Sequence, residues 1–403
     1  MKILFLTPRL PYPPYRGDKL KVWNLISQLS RKHEIVLVTF IQQKSERQLI
    51  SNVKENCASV HTVYKPSWRS FLSCIKAIPS SKPFQVAYFE SRAMKRLIER
   101  LVDDIKPDII HTHLIRMAQF AAPLGGSAKV LDMTDAVSLY LGRFRDAQKN
   151  PLLRWVIGTE FKRMIGYEKI IDRFDNSLVC SWTDQAFLKQ RLPDAHIGIL
   201  ENGIDLGTFV SNDSVRFEPH RIIFTGNLGY YPNADAASHF VKEILPLVRK
   251  SIPEARLYIV GQNPPRHIRK LANENVVVTG FVENIRDEYL KSAVAISPVR
   301  FGAGTLNKVL EPLALGIPIV ATSMGTQGLK LDNGSDILIA DDPVAFAGAV
   351  CRILRDTKFR DQIANSARSR VRAEWGWENV AARLQRIYAD ALREDIPRPG
   401  RPT

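Results

Sequence analysis

The sequence is poor in cysteine. Four occur, at 57, 74, 180 and 351, with no CxxC step and no paired spacing, so neither a disulfide framework nor a cysteine zinc site is encoded. Reduced thiols in a cytoplasmic protein are the expectation. Long apolar runs are missing too: Val309 to Ala321 is broken by Glu311, Gly316 and Pro318, short of the roughly 20 residues that cross a bilayer. The first apolar run, Met1 to Thr7, meets Pro8 and Arg9, before the roughly 7 to 15 residues of a signal-peptide core. It reads as a buried strand. The phosphate fingerprint Gly-x-Gly-x-x-Gly does not follow that strand, where Pro8-Arg-Leu-Pro-Tyr-Pro-Pro14 stands instead, which argues against a nicotinamide dehydrogenase.

Negative charge is scarce in one half only. Residues 1–200 hold 31 Lys and Arg against 18 Asp and Glu, so most of the net charge of +16 lies there. A basic half calls for a polyanionic partner: an anionic membrane surface, a lipid diphosphate or nucleic acid. No recognisable nucleic-acid motif accompanies the charge, and nucleic acid is not expected. A non-catalytic basic membrane- or nucleic-acid-binding protein stays open as an alternative. The stretch Pro66-Ser-Trp-Arg-Ser-Phe-Leu72, running on to Lys76, Lys82, Pro83 and Phe84, interleaves aromatic and cationic side chains. That composition suits a membrane interface, or equally a basic lobe that packs its aromatics into its own domain.

At 403 residues the chain is long for one core and comfortable for two. Short apolar runs alternate with helical patterns, as in Lys2 to Thr7, Lys19 to Ser30 and Glu34 to Phe40, the mark of βαβ units and parallel sheets. Further strands are expected at Ile109 to Thr112, Lys129 to Met133, Asn176 to Cys180 and His196 to Leu200. The rhythm restarts at Arg221 to Thr225 and continues through Arg256 to Val260, Val276 to Val278, Val294 to Ile296 and Ile317 to Ala321. The linker falls at Glu201 to Phe209, where Asn-Gly suits a tight turn. The reading is therefore α/β: an N-terminal doubly wound domain over 1–200, a second over 201–376, a helix over 377–395 and a frayed tail over 396–403.

The run Pro298-Val-Arg-Phe-Gly-Ala-Gly-Thr-Leu-Asn-Lys-Val-Leu-Glu-Pro-Leu-Ala-Leu-Gly316 joins a predicted strand, a glycine loop and a helix. Unpaired backbone N–H groups and the helix dipole make such a junction an anion site. Lys308 can add a point charge for phosphate, and Glu311 at i+3 can accept two hydrogen bonds from a ribose diol. An ordinary glycine-rich turn with a surface ion pair is the competing explanation. In the first half, alternation puts His111 and His113 on one face at the end of a strand, where ligands of parallel sheets sit; they are cleft-rim residues or substrate contacts. No third and fourth ligand at zinc spacing appears, and no metal is expected. Asp132 and Asp135 close the next strand; one of them caps a helix or meets the acceptor, and Asp135 is the candidate for the acceptor.

The order of residues from Arg300 to Gly316 resembles glycosyltransferase family 4, and the likeness extends over nearly the whole chain. Lys2 to Pro8 with Tyr12-Pro-Pro-Tyr-Arg-Gly-Asp18 is similar to the family's first strand and glycine loop, with Gly17 near the donor phosphates; Glu201-Asn-Gly-Ile-Asp205 is similar to its linker. Gly17-Asp-Lys-Leu-Lys21, Asp132-Met-Thr-Asp-Ala136, Tyr231-Pro-Asn-Ala-Asp-Ala236 and Gly302 to Lys308 look like the branch associated with PEP-CTERM and exosortase exopolysaccharide clusters.

The resemblance implies a GT-B fold of two facing Rossmann-like domains, with the C-terminal helix crossing back to the first. It also implies retention and a nucleoside diphosphate sugar as co-substrate, with no cofactor. The acceptor would be a glycan or lipid-linked glycan, and the enzyme cytoplasmic or peripheral on the inner face of the plasma membrane. Donor contacts are expected at Gly17, Gly226, Arg300, Gly302, Ala303, Gly304, Thr305, Lys308 and Glu311, and catalytic contacts at Asp135, His111 and His113. Two departures matter. The family's pair of glutamates eight positions apart falls at 303 and 311, but 303 is Ala; and Gly226-Asn-Leu-Gly-Tyr-Tyr-Pro232 lacks the cations that often bind the diphosphate. Lys308 and Arg300 are the expected substitutes. A nucleotide-sugar epimerase of the same fold is the alternative enzyme.

Overall fold

A computed structural model describes residues 1–14, 17–210, 215–301 and 307–393. Its contacts divide the chain into two compact units, Met1–Glu201 together with residues from Val380 onward, and Asn202–Asn379.

In the first unit the strands are β1 (Lys2–Thr7), β2 (Glu34–Ile41), β3 (Ser59–Tyr64), β4 (Ile109–His113), β5 (Ala128–Thr134), β6 (Asn176–Val179) and β7 (Ile197–Ile199). They form one parallel sheet in the order β3-β2-β1-β4-β5-β6-β7. Ile3, Leu4, Phe5 and Leu6 are all buried because helices cover both faces of such a sheet, which is why its inner strands read as unbroken apolar runs. At the edge, β3 is only partly buried and carries Ser59, His61 and Thr62.

The second unit holds β8 (Glu218–Thr225), β9 (Arg256–Val260), β10 (Val276–Gly280), β11 (Ser292–Ser297), β12 (Ile319–Ala321) and β13 (Leu338–Ile339), parallel in the order β10-β9-β8-β11-β12-β13. β12 begins two residues later than the sequence suggests. Pro318 has no N–H for a ladder, although its carbonyl still accepts from the Ala295 N–H at 2.9 Å. The edge pair β12–β13 is two partners long, too short for a periodic signal. Both sheets reverse winding direction once, between β1 and β4 and between β8 and β11, and crevices for ligands open beyond the strand ends at such switch points.

The helix Trp377–Leu392 buries Val380, Leu384 and Tyr388, and from Val380 onward it belongs to the first unit. Its apolar spacing thus has its burial site; Ile387 is only partly covered. None of the four cysteines forms a disulfide.

Candidate active site

In the second unit, chemistry collects where β8 and β11 end. β11 leads through Val299 and Arg300 to the helix Asn307–Leu315. The predicted contacts Gly302, Ala303, Gly304 and Thr305 lie outside the described residues. On the helix, Lys308 is buried and donates from Nζ to the Asn233 Oδ1, with the Phe224 ring centroid 5.0 Å away. Burial lowers its pKa to about 7, against a smaller opposing pull from Glu311. Among the described residues this ammonium is held by one amide and one ring face with no ion pair, the state in which a diphosphate gains most by approaching.

Glu311, one turn on and partly buried, accepts from the Tyr289 hydroxyl at 2.9 Å, and that hydroxyl lies 2.6 Å from Thr225 Oγ1. Burial raises the Glu311 pKa, while the Tyr289 hydrogen bond and Lys308 pull it down. Tyr289 spans from β8 to the helix and fixes where the carboxylate points.

Gly226 follows β8 with φ +152°, and a Cβ there would meet the Asn233 amide nitrogen at 2.8 Å. Glycine is thus needed for the amide that holds Lys308 to fit. Gly261, at the end of β9, is tighter: a Cβ would fall 1.8 Å from the Gly226 carbonyl oxygen. Arg300 makes a bidentate pair with Asp235, Nε to Oδ2 at 3.0 Å and Nη2 to Oδ1 at 2.6 Å. It arrives at this site already committed to a carboxylate, whereas Lys308 does not. Asn202 of the linker motif donates to Asn307 at 3.4 Å.

In the first unit a second constellation sits at the ends of β1, β4 and β5. His111 is fully buried, stacked on Phe5 at 4.1 Å between centroids, with its Nδ1 2.7 Å from the Tyr388 hydroxyl. Burial lowers its pKa to about 3, so the ring is neutral. His113 Nδ1 lies 3.3 Å from Asp132 Oδ2. Asp132 Oδ1 accepts from Lys21 Nζ at 2.9 Å, and Lys21 also donates to the Leu200 carbonyl at 3.1 Å. Burial is the largest single influence and opposes both charges, but Asp132 and Cys180 together raise the Lys21 pKa, and Lys21 with His113 and His111 lowers that of Asp132.

Of the two acids at the end of β5, Asp132 is therefore an internal counter-ion. Asp135 is only partly buried, and its Oδ1 has no hydrogen-bond partner among the described residues. Burial, with Asp184 and Asp132 adding to it against Lys21 and Arg116, pushes its pKa up to about 7. Thr134 between them has φ 67°, a strained conformation for a β-branched residue, and such strain concentrates at functional sites.

His111, His113 and Asp132 offer ligand atoms all within 4.8 Å of one another, a third ligand that sequence spacing did not show. Lys21 already supplies the positive charge there, so the group is built as an ion-pair network. At Gly17, which opens the helix Gly17–Leu29, a Cβ would meet nothing within 4 Å; space does not demand glycine there.

Sequence reasoning passed over Asn233, Asp235, Tyr289 and Gly261 as site residues. Asn233 and Asp235 lie in the quoted run Tyr231 to Ala236, and Tyr289 carries no local signal at all.

Residues 219–356 match the family described as glycosyl transferases group 1. The glycogen synthase of Mycobacterium tuberculosis is 25% identical over 315 residues, covering 74% of this chain and 72% of that protein. The putative teichuronic acid biosynthesis glycosyltransferase TuaC of Bacillus subtilis is 22% identical over 343 residues, covering 83% and 82%. Among solved structures, Anabaena Alr3699/HepE in complex with UDP superposes with a TM-score of 0.69 at 13% identity, covering 97% of this chain and all of that one, a likeness of fold. With both parallel sheets in place the chain has the GT-B fold of a glycosyltransferase, and its segment 219–356, which contains Lys308 and Glu311, matches group 1 of that class.

Proposed function

We propose that this chain transfers a sugar from a nucleoside diphosphate sugar to a lipid-linked glycan during assembly of an exopolysaccharide or other cell-surface polysaccharide, in the branch associated with PEP-CTERM and exosortase clusters. The observation that carries the donor side is Lys308: a buried ammonium that among the described residues bonds an amide and faces a ring, one turn before a carboxylate oriented by Tyr289. In this reading Lys308 meets the diphosphate and Glu311 the ribose hydroxyls. The relatives support a polymer-building role, since one is named a glycogen synthase and another a putative teichuronic acid biosynthesis glycosyltransferase.

The bond from sugar C1 to the diphosphate oxygen breaks, and the diphosphate keeps the electron pair. An acceptor hydroxyl oxygen bonds to C1 on the same face and gives up its proton. Lys308 stabilises the charge growing on the leaving diphosphate, which lowers the barrier because the ammonium is already in place. Asp135, titrating at about 7, is the proposed partner for the acceptor hydroxyl, with the neutral His111 ring and the His113 side chain bounding that site. Among the described residues no helix is long and apolar enough to cross a membrane, so a lipid-linked acceptor is met from the membrane surface.

A thermal-shift panel of UDP, GDP, ADP and their sugars tests the donor class, with the UDP compounds first because HepE was solved with UDP. Stabilisation by one nucleotide family is the expected result. Silence from the whole panel sinks the proposal. Turnover of donor without any acceptor would instead indicate the epimerase.

A further inference from the structure

The helix Ser67–Lys76 is amphipathic and turned inside out. Trp68, Phe71, Leu72 and Ile75 recur at helical spacing and form one stripe, yet they are 59%, 62%, 47% and 59% exposed, and Ile78 just beyond is 59% exposed. The buried residue is Ser70. An apolar stripe of this size on a folded surface marks an interaction site.

Charge next to the stripe identifies the partner. Residues 67–89 contain Arg69, Lys76 and Lys82 and no Asp or Glu. The Arg69 guanidinium lies 5.1 Å from the Trp68 ring. Lys76 and Lys82 line a groove of about 650 Å³ whose other wall brings Lys162 and Arg163; Glu90, paired with Lys82 at 3.0 Å, is the one acidic residue among the described residues that line it. Arg163 ties the walls together, donating to the Ile78 carbonyl at 2.6 Å with its guanidinium 4.5 Å from the Phe84 ring. The helix Pro151–Tyr167, which carries Lys162 and Arg163, also leaves Leu152, Trp155 and Val156 exposed at its start.

We infer that the Trp68–Ile78 stripe with the Lys76/Lys82/Lys162/Arg163 groove is the surface by which this chain docks on an anionic phospholipid bilayer. The aromatic rings settle at headgroup depth and the groove cations meet lipid phosphates. A second copy of the chain fits less well, since a two-fold contact here would set the basic groove against itself. The inference rests on the reading of a lipid-linked acceptor for its purpose, but its test does not use transfer.

The test is sedimentation of the full chain with vesicles of phosphatidylcholine alone and with roughly a third phosphatidylglycerol, together with tryptophan emission. Binding at least about tenfold stronger to the anionic vesicles is expected, weakened by salt, with a blue shift. The triple variant Trp68→Ser/Phe71→Ser/Ile75→Ser should lose at least about tenfold in binding while keeping its Tm and its nucleotide thermal shift, because those side chains support no core. Lys76→Glu and Lys162→Glu should each lose about fivefold or more on anionic vesicles. Equal partition to both lipids, no binding at all, or a triple variant that binds as the parent does would overturn the inference. So would self-association in the absence of lipid that the triple variant abolishes. If nucleotides fail to bind but vesicle binding holds, the catalytic reading falls and the docking surface stands.

Discussion

Lys21 and Asp132 stand 111 residues apart in sequence and 2.9 Å apart in the fold, both fully enclosed. Removing one partner leaves the other as a bare buried charge. Lys21→Met should therefore cost about 3–5 kcal/mol in urea unfolding, whereas Lys21→Met/Asp132→Leu, which removes both charges, should recover much of that loss. A single variant as stable as the parent would show the pair to be dispensable.

Lys308 gives donor binding a pH signature. Its ammonium titrates at about 7 and a bound diphosphate holds the proton on, so above that pH binding must take a proton from solution. Donor Kd should rise by up to about tenfold per pH unit above 7. Lys308→Ala should bind at least about tenfold more weakly at pH 6, with that pH dependence gone. Calorimetry at several pH values checks both. In the free protein the sign is opposite: the unfolded chain holds this proton between about 7 and 10.5, so the lysine's contribution to stability improves as pH rises through that window.

Asp135 is raised from 3.8 to about 7, so the folded state keeps a proton that the unfolded state releases between those values. Its contribution to stability is complete below 3.8 and is lost as pH rises to about 7. Asp135→Asn removes that loss, and its Tm should fall less than the parent's between pH 4 and pH 8, by several degrees. If Asp135 also meets the acceptor hydroxyl, the same variant loses the limb of the kcat profile near pH 7, while its donor Kd is unchanged. A profile that keeps the limb would remove Asp135 from the chemistry.

Gly261→Ala should be among the most damaging small changes in the second unit. Its added carbon would fall 1.8 Å from a backbone oxygen at a position with φ +153°, which rotamer changes cannot relieve. A loss above about 3 kcal/mol is expected by denaturant unfolding. Since the backbone in the way is that of Gly226, nucleotide binding should weaken even where the variant folds. Gly348→Ala is the control: a Cβ there meets nothing within 4 Å and the residue lies inside the helix Pro343–Arg355, so the change should be neutral or slightly stabilising.

Most inner strands were legible because a strand buried on both faces needs apolar residues throughout; β1, β2, β4 and β5 read directly from their runs. β3 and β13 were not named, the first because half of it faces solvent and the second because it is two residues long. In the candidate site, Lys308 and Glu311 were singled out from a glycine-rich run before a helix, and the described residues place both on the helix Asn307–Leu315, each with a polar partner. Arg300 looked like a second phosphate cation until Asp235, 65 positions earlier, took both sides of its guanidinium.

The sequence by itself determined the two α/β cores, the helix that follows β11 and the basic first half, because apolar periodicity and charge are local properties of a chain. Only the tertiary structure decided how those residues are used. It made Asp132 a counter-ion and left Asp135 protonatable, gave Lys308 an amide in place of an acid, and turned the Trp68–Ile75 stripe outward. A pKa and an exposure are set by the neighbours that folding brings from elsewhere in the chain, and at these positions those neighbours are tens to hundreds of residues away.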